Sequence, residues 1–464
     1  MTATDIPVSE PIAKTHTNSH LRTLITQRAI SIGIVATFFL IPVWHRVEFA
    51  SDPFSRDYST GYLIFIPIIW TISWWIISGF KGVKDISKHK ARWLWLGGLL
   101  ALAIWGLASQ RWSFMATDRP EIAAGAAAQF ALAVLFVAAL YASQHSISSI
   151  LMTLAATLLL HALIGGAQVA QQGSISLDWI GEFSLDPQRE GIGVIQAGET
   201  RWLRPYGLTA HPNIFAGFVV IGLLASLALS LDERKSLRWA GTSVYLGGFW
   251  VLLLTFSRSA WLGFGVACLA LLILTVPFIW KNRTQRRQTI FIVGCTVLLS
   301  VLFFALYRPL ILVRAGVNTN TEITETRSLN ERAIYNNVAT EAIRDYPLLG
   351  VGIGNFPWYA SHYLFYETDT DMRGDNVHNI YLAVQAELGI LGTALWLIVI
   401  SGGLIISLRS PVDETNFQLR SIVVCSVLAL LTIGLFDHYM WTMLHFQILL
   451  LGLIALSQSK HPNR

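Results

Sequence analysis

Residues 260–280 read AWLGFGVACLALLILTVPFIW, and residues 281–288 read KNRTQRRQ. The first stretch carries no charge and is long enough to cross the hydrocarbon layer of a bilayer, which takes about 20 apolar residues. The second is short and basic, and a new apolar stretch starts straight after it at Thr289. Together they read as a span, a cytoplasmic turn and a second span, because Lys and Arg are retained on the cytoplasmic face. Such spans must be helices, since lipid offers backbone amides no partner.

The same reading extends in both directions. Of the 464 residues, 53% are hydrophobic and 13% charged, with a mean hydropathy of +0.53. A soluble domain would carry about 25% charged residues. About twelve spans emerge at this spacing: Ala29–Trp44, Thr60–Phe80, Trp93–Ser109, Ile122–Ala142, Ser148–Ala170, Pro212–Leu231, Trp239–Phe256, Ala260–Trp280, Thr289–Tyr307, Ile380–Leu408, Ser421–Phe436 and Met443–Ser457. The fold class is therefore all-α and polytopic, with a long outer loop between spans nine and ten. Residues 1–28 read as a polar cytoplasmic tail and residues 29–464 as the membrane domain. The first span has no small-residue cleavage site behind it and reads as a retained helix rather than a signal peptide. Cys268, Cys295 and Cys425 all fall in spans, so neither disulfides nor a cysteine metal site is expected.

Charge sorts along the spans. Lys14, Lys81, Lys84, Lys88, Lys90, Lys235, Lys281 and Lys460 share one side, which the charge rule makes cytoplasmic, with both termini. The other side keeps only arginine, including Arg204, Arg258, Arg308, Arg314, Arg327, Arg332 and Arg373. An outer face that holds arginine against that bias suggests an anion, because guanidinium is the better fork for phosphate or carboxylate. The net charge of +5 is spread over short loops and does not indicate nucleic acid.

Two outer loops are long, Gln171–His211 and Arg308–His378. Loops of that length are functional or disordered. Within the second, Ser328-Leu-Asn-Glu331 reads as a capping box, and Ile334, Val338 and Ala342 form an apolar stripe behind it. The spacing predicts a helix from Ser328, stopped at Pro347 and lying along the membrane surface.

Three clusters carry candidate chemistry. The first is Arg204-Pro-Tyr-Gly-Leu-Thr-Ala-His211-Pro-Asn213. Pro212 suits a first helical turn, and the free amides of that turn can receive an oxyanion, with Arg204 adding a fork. The plainer alternative is an interfacial arginine that snorkels to headgroups. The second cluster is Ser257-Arg258-Ser259, in a turn so tight that Arg258 must sit near the membrane boundary. Its alternative is a turn arginine satisfied by helix-end carbonyls. The third is Asp375-Asn-Val-His378-Asn379, followed by Glu387. A histidine there can take a proton near neutral pH, and Asp375 or Glu387 could orient it or raise its basicity, but Glu387 lies about two and a half turns along the helix, too far for direct contact to be expected. Its alternative is a helix cap built from Asp375, Asn376 or Asn379. The run Gly350-Val-Gly-Ile-Gly354 lacks the strand and the Lys-Ser/Thr of a phosphate loop. Asp437-His438 opens a tight outer turn and could line the same cavity, while His161 is a packed histidine or a relay.

In their order along the chain, these residues resemble a known family. Arg204, Gly207 and His211-Pro-Asn213 come first, then Ser257-Arg258-Ser259. Arg332, Pro347-Leu-Leu-Gly350-Val-Gly352 and Asn355-Phe356 follow, and then His378-Asn379 with Gly389. The sequence is similar to the O-antigen ligase and O-antigen polymerase superfamily of bacterial inner-membrane glycosyltransferases, most strongly from Arg204 to Gly392. The resemblance implies a GT-C-type bundle whose active site is periplasmic, under a loop subdomain of residues 308–378. It implies a glycan donor on undecaprenyl diphosphate, an acceptor sugar hydroxyl such as that of a lipid A-core, no cofactor and no metal. It makes His378 the catalytic base and puts Arg204 and Arg258 on the diphosphate. Arg332, His211, Asn213 and Asn379 complete the expected substrate-binding set.

The reaction would invert the anomeric carbon. Ligation, polymerisation and transfer to a protein hydroxyl all remain compatible, with ligation favoured. A transporter of an anionic or lipid-linked substrate is the competing class. It would put paired charges at the midplane beside broken helices, whereas here the charge gathers at the outer boundary.

Overall fold

The computed structural model describes residues 12–48, 60–315, 323–368 and 375–459. Lys460, Arg373, Asp369 and Asp371 lie outside the described residues. The first half of the chain forms α1 (Ile12–Leu40), α2 (Phe65–Ile77), α3 (Val83–Ser87), α4 (Lys90–Ser109), α5 (Pro120–Ser143) and α6 (Ile147–Gln171). A second group comprises α7 (Pro212–Ser230), α8 (Lys235–Leu254), α9 (Arg258–Lys281) and α10 (Arg283–Arg314). Then follow α11 (Ile323–Asp345), α12 (Phe356–Thr368), α13 (Ile380–Arg409), α14 (Glu414–Ile433), α15 (Tyr439–Thr442) and α16 (Leu444–Ser457). Ten of these helices are long and apolar enough to cross a membrane, and α2 and α16 are shorter apolar helices. The chain is an all-α polytopic membrane protein.

The local chemistry places the helix starts. Pro120 and Pro212 stand at first-turn positions, where a missing amide costs nothing. Asn282 accepts from the Thr284 and Gln285 amides, and Asp413 from the Asn416 amide. At the core, α7 is buried along nearly its whole length, packed by α6, α8 and α14. In contrast α10 leaves most of its apolar surface exposed, as a lipid-facing helix does.

One end of the bundle gathers the lysine-bearing turns. There the Arg92 guanidinium donates to the Gln458 carbonyl, Arg420 donates to the Ser407 and Ser410 carbonyls, and Gln285 reaches the Leu231 carbonyl. The opposite end carries two antiparallel hairpins, β1 (Arg46–Glu48) with β2 (Thr60–Tyr62) and β3 (Val194–Ala197) with β4 (Thr200–Leu203). It also carries α11, α12 and α15.

Four expectations need correction. The N-terminal tail is helical from Ile12 and runs straight into the first span. Span nine continues to Arg314 through a kink at Tyr307, two residues before Pro309, so Arg308 and Arg314 stand on a helix rather than in a loop. α11 starts at Ile323, not Ser328, because no Pro or Gly lies between them to stop it. Its buried face is Tyr335, Val338, Ala339 and Ala342, packed on α12 and α13. Finally, span ten is not one helix: α13 breaks at Gly389, whose φ of 65° and ψ of −173° suit glycine almost alone.

That break is filled by protein. The loop from Pro347 to Gly354 pairs its backbone with the open turn: Val351 N donates to the Ala386 carbonyl and Gly352 N to the Glu387 carbonyl, both at 2.9 Å. Ile390 N donates back to the Pro347 carbonyl at 2.9 Å. A β-carbon on Gly389 would lie 2.3 Å from the Leu348 carbonyl oxygen, and one on Gly350 2.4 Å from the Glu387 carbonyl. The glycine run is therefore a structural seat. It locks the loop segment into α13 where a strand or a longer side chain could not fit.

Candidate active site

Arg204 follows β4, and its own amide extends the hairpin by donating to the Gly193 carbonyl at 3.2 Å. Its side chain is 4% exposed. Nε donates to the Thr255 carbonyl, and Nη2 donates to Asn213 Oδ1 at 2.6 Å. Asn213 in turn donates from Nδ2 to Asp437 Oδ1 at 3.4 Å. Burial, the largest cause, lowers the Arg204 pKa to about 10, and Tyr206 and Asp437 oppose it. The group stays charged at neutral pH, with one edge of its fork committed to the protein.

The helix start expected to receive an anion is largely self-satisfied. His211 caps α7, and its Nδ1 accepts from the Asn213 amide at 3.1 Å. Pro212 has no amide to offer. Burial, followed by Arg204 and His378, pushes the His211 pKa well below its ordinary value. His211 and Asn213 thus position the arginine rather than present free amides.

The turn Thr255–Arg258 is the hub for three more groups. Phe256 sits there with φ of 49° and is fully buried, an unusual conformation for a large side chain. It aims the last carbonyls of α8, the negative end of the helix dipole, at arginines. Thr255 O takes Arg204, and Phe256 O takes Arg314 Nε at 3.3 Å. Exposed Arg258 donates from Nη1 to the Arg314 carbonyl at 3.0 Å, so the helix-end alternative holds for one of its nitrogens. Arg332, from α11, reaches Asp437 Oδ1 at 3.9 Å, and Ser259 donates to Asp437 Oδ2 at 2.9 Å. Arg314 lies within electrostatic range of Arg204, Arg258, Arg332 and Asp437, and Arg204 within range of Arg258, Arg332 and Asp437. These four guanidiniums gather positive charge at one spot. Burial raises the Asp437 pKa, and Arg332 is the chief influence opposing it.

His378 stands beside this cluster. Its ring meets His438 edge-on, with centroids 5.2 Å apart, and its Nδ1 is buried without a hydrogen-bond partner among the described residues. Burial first, then His438 and Arg332, lowers its pKa to about 4, so the ring is a neutral base at pH 7. His438 is likewise lowered to about 4 by burial, then Arg332, and its Nδ1 pairs with Thr442 Oγ1 at 2.7 Å. Of the residues expected to orient His378, Asp375 is within electrostatic range and Glu387 is not its partner. Glu387 instead accepts from the Trp441 indole at 2.8 Å and the Phe356 amide at 3.4 Å. Asn379 is committed too: it caps α13 through the Tyr381 and Leu382 amides and donates to the Leu435 carbonyl.

The structure thus brings Arg204, Arg258, Arg332, His211, Asn213 and His378 to one end of the bundle, and leaves Asn379 a cap. Asp437 and His438, read from the sequence as a turn that could line the same cavity, join the cluster, as does Arg314. An acid and a histidine in a turn between two spans are costly without a partner. His161 packs against Phe218 with centroids 5.9 Å apart. Among the described residues, no group of three or more His, Cys, Asp or Glu side chains is placed to hold a metal.

Residues 243–397 match the family model described as O-Antigen ligase. About a third of the chain is thus similar to that family. The matched stretch holds Arg258, Arg314, Arg332, His378 and the broken α13, while Arg204 and Asp437 flank it. No curated protein matches the chain. The match supports a ligase- or polymerase-type function in a membrane.

Proposed function

We propose that the protein transfers a glycan from undecaprenyl diphosphate to an acceptor sugar hydroxyl at the periplasmic face of a bacterial inner membrane, with inversion. One observation carries this reading: arginines from four separate segments gather around Arg314, three of them within electrostatic range of Asp437, with the neutral His378 imidazole beside them.

The chemistry follows from the charges. The diphosphate enters with its negative charge against the arginine cluster. Arg258 is exposed and Arg332 half-buried, while Arg204 and Arg314 supply field from positions fixed by their hydrogen bonds. The acceptor oxygen forms a bond to the anomeric carbon as the bond to the phosphate oxygen breaks. The electron pair leaves with undecaprenyl diphosphate, and the hydroxyl proton passes to His378. Charge grows on the leaving phosphate, where a preorganised donor is worth about 3 kcal/mol of barrier. General base catalysis contributes roughly 100- to 10,000-fold. Ligation is preferred over polymerisation or transfer to protein, in keeping with the description of the matched family.

The test is reconstitution of the full chain with an undecaprenyl-diphosphate glycan and candidate acceptors. His378→Ala should abolish transfer while donor binding persists. Arg258→Lys should keep the charge, lose the fork and lose most of the rate. Full activity in the first variant would remove the base assignment, and an unchanged rate in the second would make Arg258 structural.

A further inference from the structure

A cavity lies close to His378, and none of the clustered arginines is among its lining residues. It has a volume of about 100 Å³ and is walled by α5, the 353–354 loop, α13, α15 and α16, with Trp44 and Tyr62 over it. Asn376, two residues before His378, lines it. So does Thr442, whose hydroxyl pairs with His438, the ring that stands against His378. One residue's thickness therefore separates this cavity from the catalytic histidine.

Three polar atoms of its lining residues are buried with no hydrogen-bond partner among the described residues: Trp44 Nε1, His445 Nε2 and Gln447 Oε1. Their residues are 5%, 1% and 7% exposed. His445 gives its other nitrogen to the Val43 carbonyl, which leaves Nε2 a bare acceptor. Gln447 donates from its amide nitrogen to the Trp441 carbonyl, which points its oxygen the other way. Trp44 offers a donor only, and its ring stacks on His445 with centroids 4.8 Å apart at 17°. Unmet buried groups of this kind are costly, so the cavity is built for an occupant.

The mixture identifies that occupant's class. A phosphate cannot satisfy two bare acceptors, and a cation cannot satisfy an indole N–H. No Lys or Arg lines the cavity, and the one charged lining residue is Glu387. Hydroxyl groups both donate and accept, and aromatic walls from Trp44, Tyr62 and Trp441 suit the apolar faces of a sugar ring. We propose that this cavity is a subsite for a neutral pyranose ring of the acceptor, held close to His378 and lined by none of the clustered arginines. The inference rests on the transfer reading above for the word acceptor, and on the cavity alone for the sugar.

The test uses the full chain in nanodiscs, with glucose, galactose and N-acetylglucosamine as probes in saturation-transfer NMR. At least one should receive saturation from the wild type. Trp44→Phe keeps the stack and removes the N–H, and should weaken that probe about tenfold. In a turnover assay the same variant should raise KM for the acceptor about tenfold, more than kcat falls, with donor KM unmoved. His445→Phe should act alike, and if it fails to fold, Trp44→Phe carries the test. No saturation of any probe together with an unchanged acceptor KM means that the cavity holds water alone, and overturns the proposal. A rise confined to donor KM assigns the subsite to the donor glycan and overturns it too. Sugar binding in a wild type that transfers nothing would instead sink the transfer reading and leave the subsite standing.

Discussion

Asp437 accepts from Ser259 and Asn213 and lies 3.9 Å from Arg332, so one buried carboxylate ties together groups from three other segments. Asp437→Asn keeps the shape and removes a negative charge that faces Arg204, Arg314 and Arg332. The guanidiniums would then repel one another with less offset, and the variant should unfold at a lower temperature and lose about 10- to 100-fold in rate. Inorganic diphosphate should restore its melting temperature by more than it shifts the wild type, because the anion replaces the missing charge. Equal shifts in the two proteins would make Asp437 an ordinary buried hydrogen-bond acceptor. His378 gives a second prediction at this scale. Its folded pKa is lowered to about 4 from the ordinary 6.5, so protonation is disfavoured in the native site and the base is already free at pH 5. The acidic limb of kcat/KM for the donor reports the free enzyme and should fall well below 6.5. The limb of kcat should sit higher, because a bound diphosphate favours the charged imidazole. A donor kcat/KM limb at 6.5 or above would mean that His378 is not the base. The sign for stability is the same: His211, His378 and His438 are all depressed by burial, so stability is complete above about 6.5 and declines as pH drops towards 4.

At the scale of elements, the broken helix α13 matters most. Its first half delivers His378 from its N-terminus, and its break receives the loop that follows α11, so the arginine of α11 and the histidine of α13 share one rigid seat. A side chain at Gly389 meets both the wrong φ and the Leu348 carbonyl. Gly389→Ala should cost about 3 kcal/mol or more, lowering the melting temperature and the yield of folded protein. Gly402→Ala, with nothing within 4 Å of its β-carbon, is the control and should be close to neutral. A harmless Gly389→Ala would mean that the break carries no constraint. The break also answers the transporter reading, since its open turn is plugged by backbone from residues 347–354 rather than facing a substrate path. This element shows where sequence reading stops. Hydropathy locates the spans because lipid forces every apolar run into a helix. The arginines and His378 stand out because charge beside lipid needs a reason. Within Ile380–Leu408, Gln385, Glu387 and Gly389 interrupt the apolar run near the break, and they do not reveal it, because the pairing partner lies about 40 residues earlier in the Leu348 region. The β3–β4 hairpin that aims Arg204 is hidden for a similar reason: four-residue strands inside a polar loop leave no periodic trace. Glu387 and Asn379 read as chemistry in one dimension and turn out to be a brace and a cap in three.

For the molecule as a whole, the sorting of Lys from Arg becomes a statement about two ends. Guanidiniums survive at one end because α8 carbonyls, Asn213 and Asp437 absorb their buried edges, which ammonium groups of the same charge could not do in that planar geometry. Lysines collect at the other end, in turns that make no such demands. If the charge rule orients the bundle, the arginine end faces outward, where a lipid-linked glycan and its acceptor can meet. The tip of the β3–β4 hairpin at Glu199 and the turn at Lys88 report on the two ends, and both are exposed. In intact cells an impermeant maleimide should label Glu199→Cys and spare Lys88→Cys until the membrane is opened. The native thiols give a low background, because Cys268, Cys295 and Cys425 sit within helices and none is exposed. The reverse pattern would turn the arginine cluster and His378 towards the cytosol, and a periplasmic transferase could not then operate from this site. Labelling of both positions before lysis would point to a mixed orientation, which a single asymmetric charge pattern of this kind should prevent.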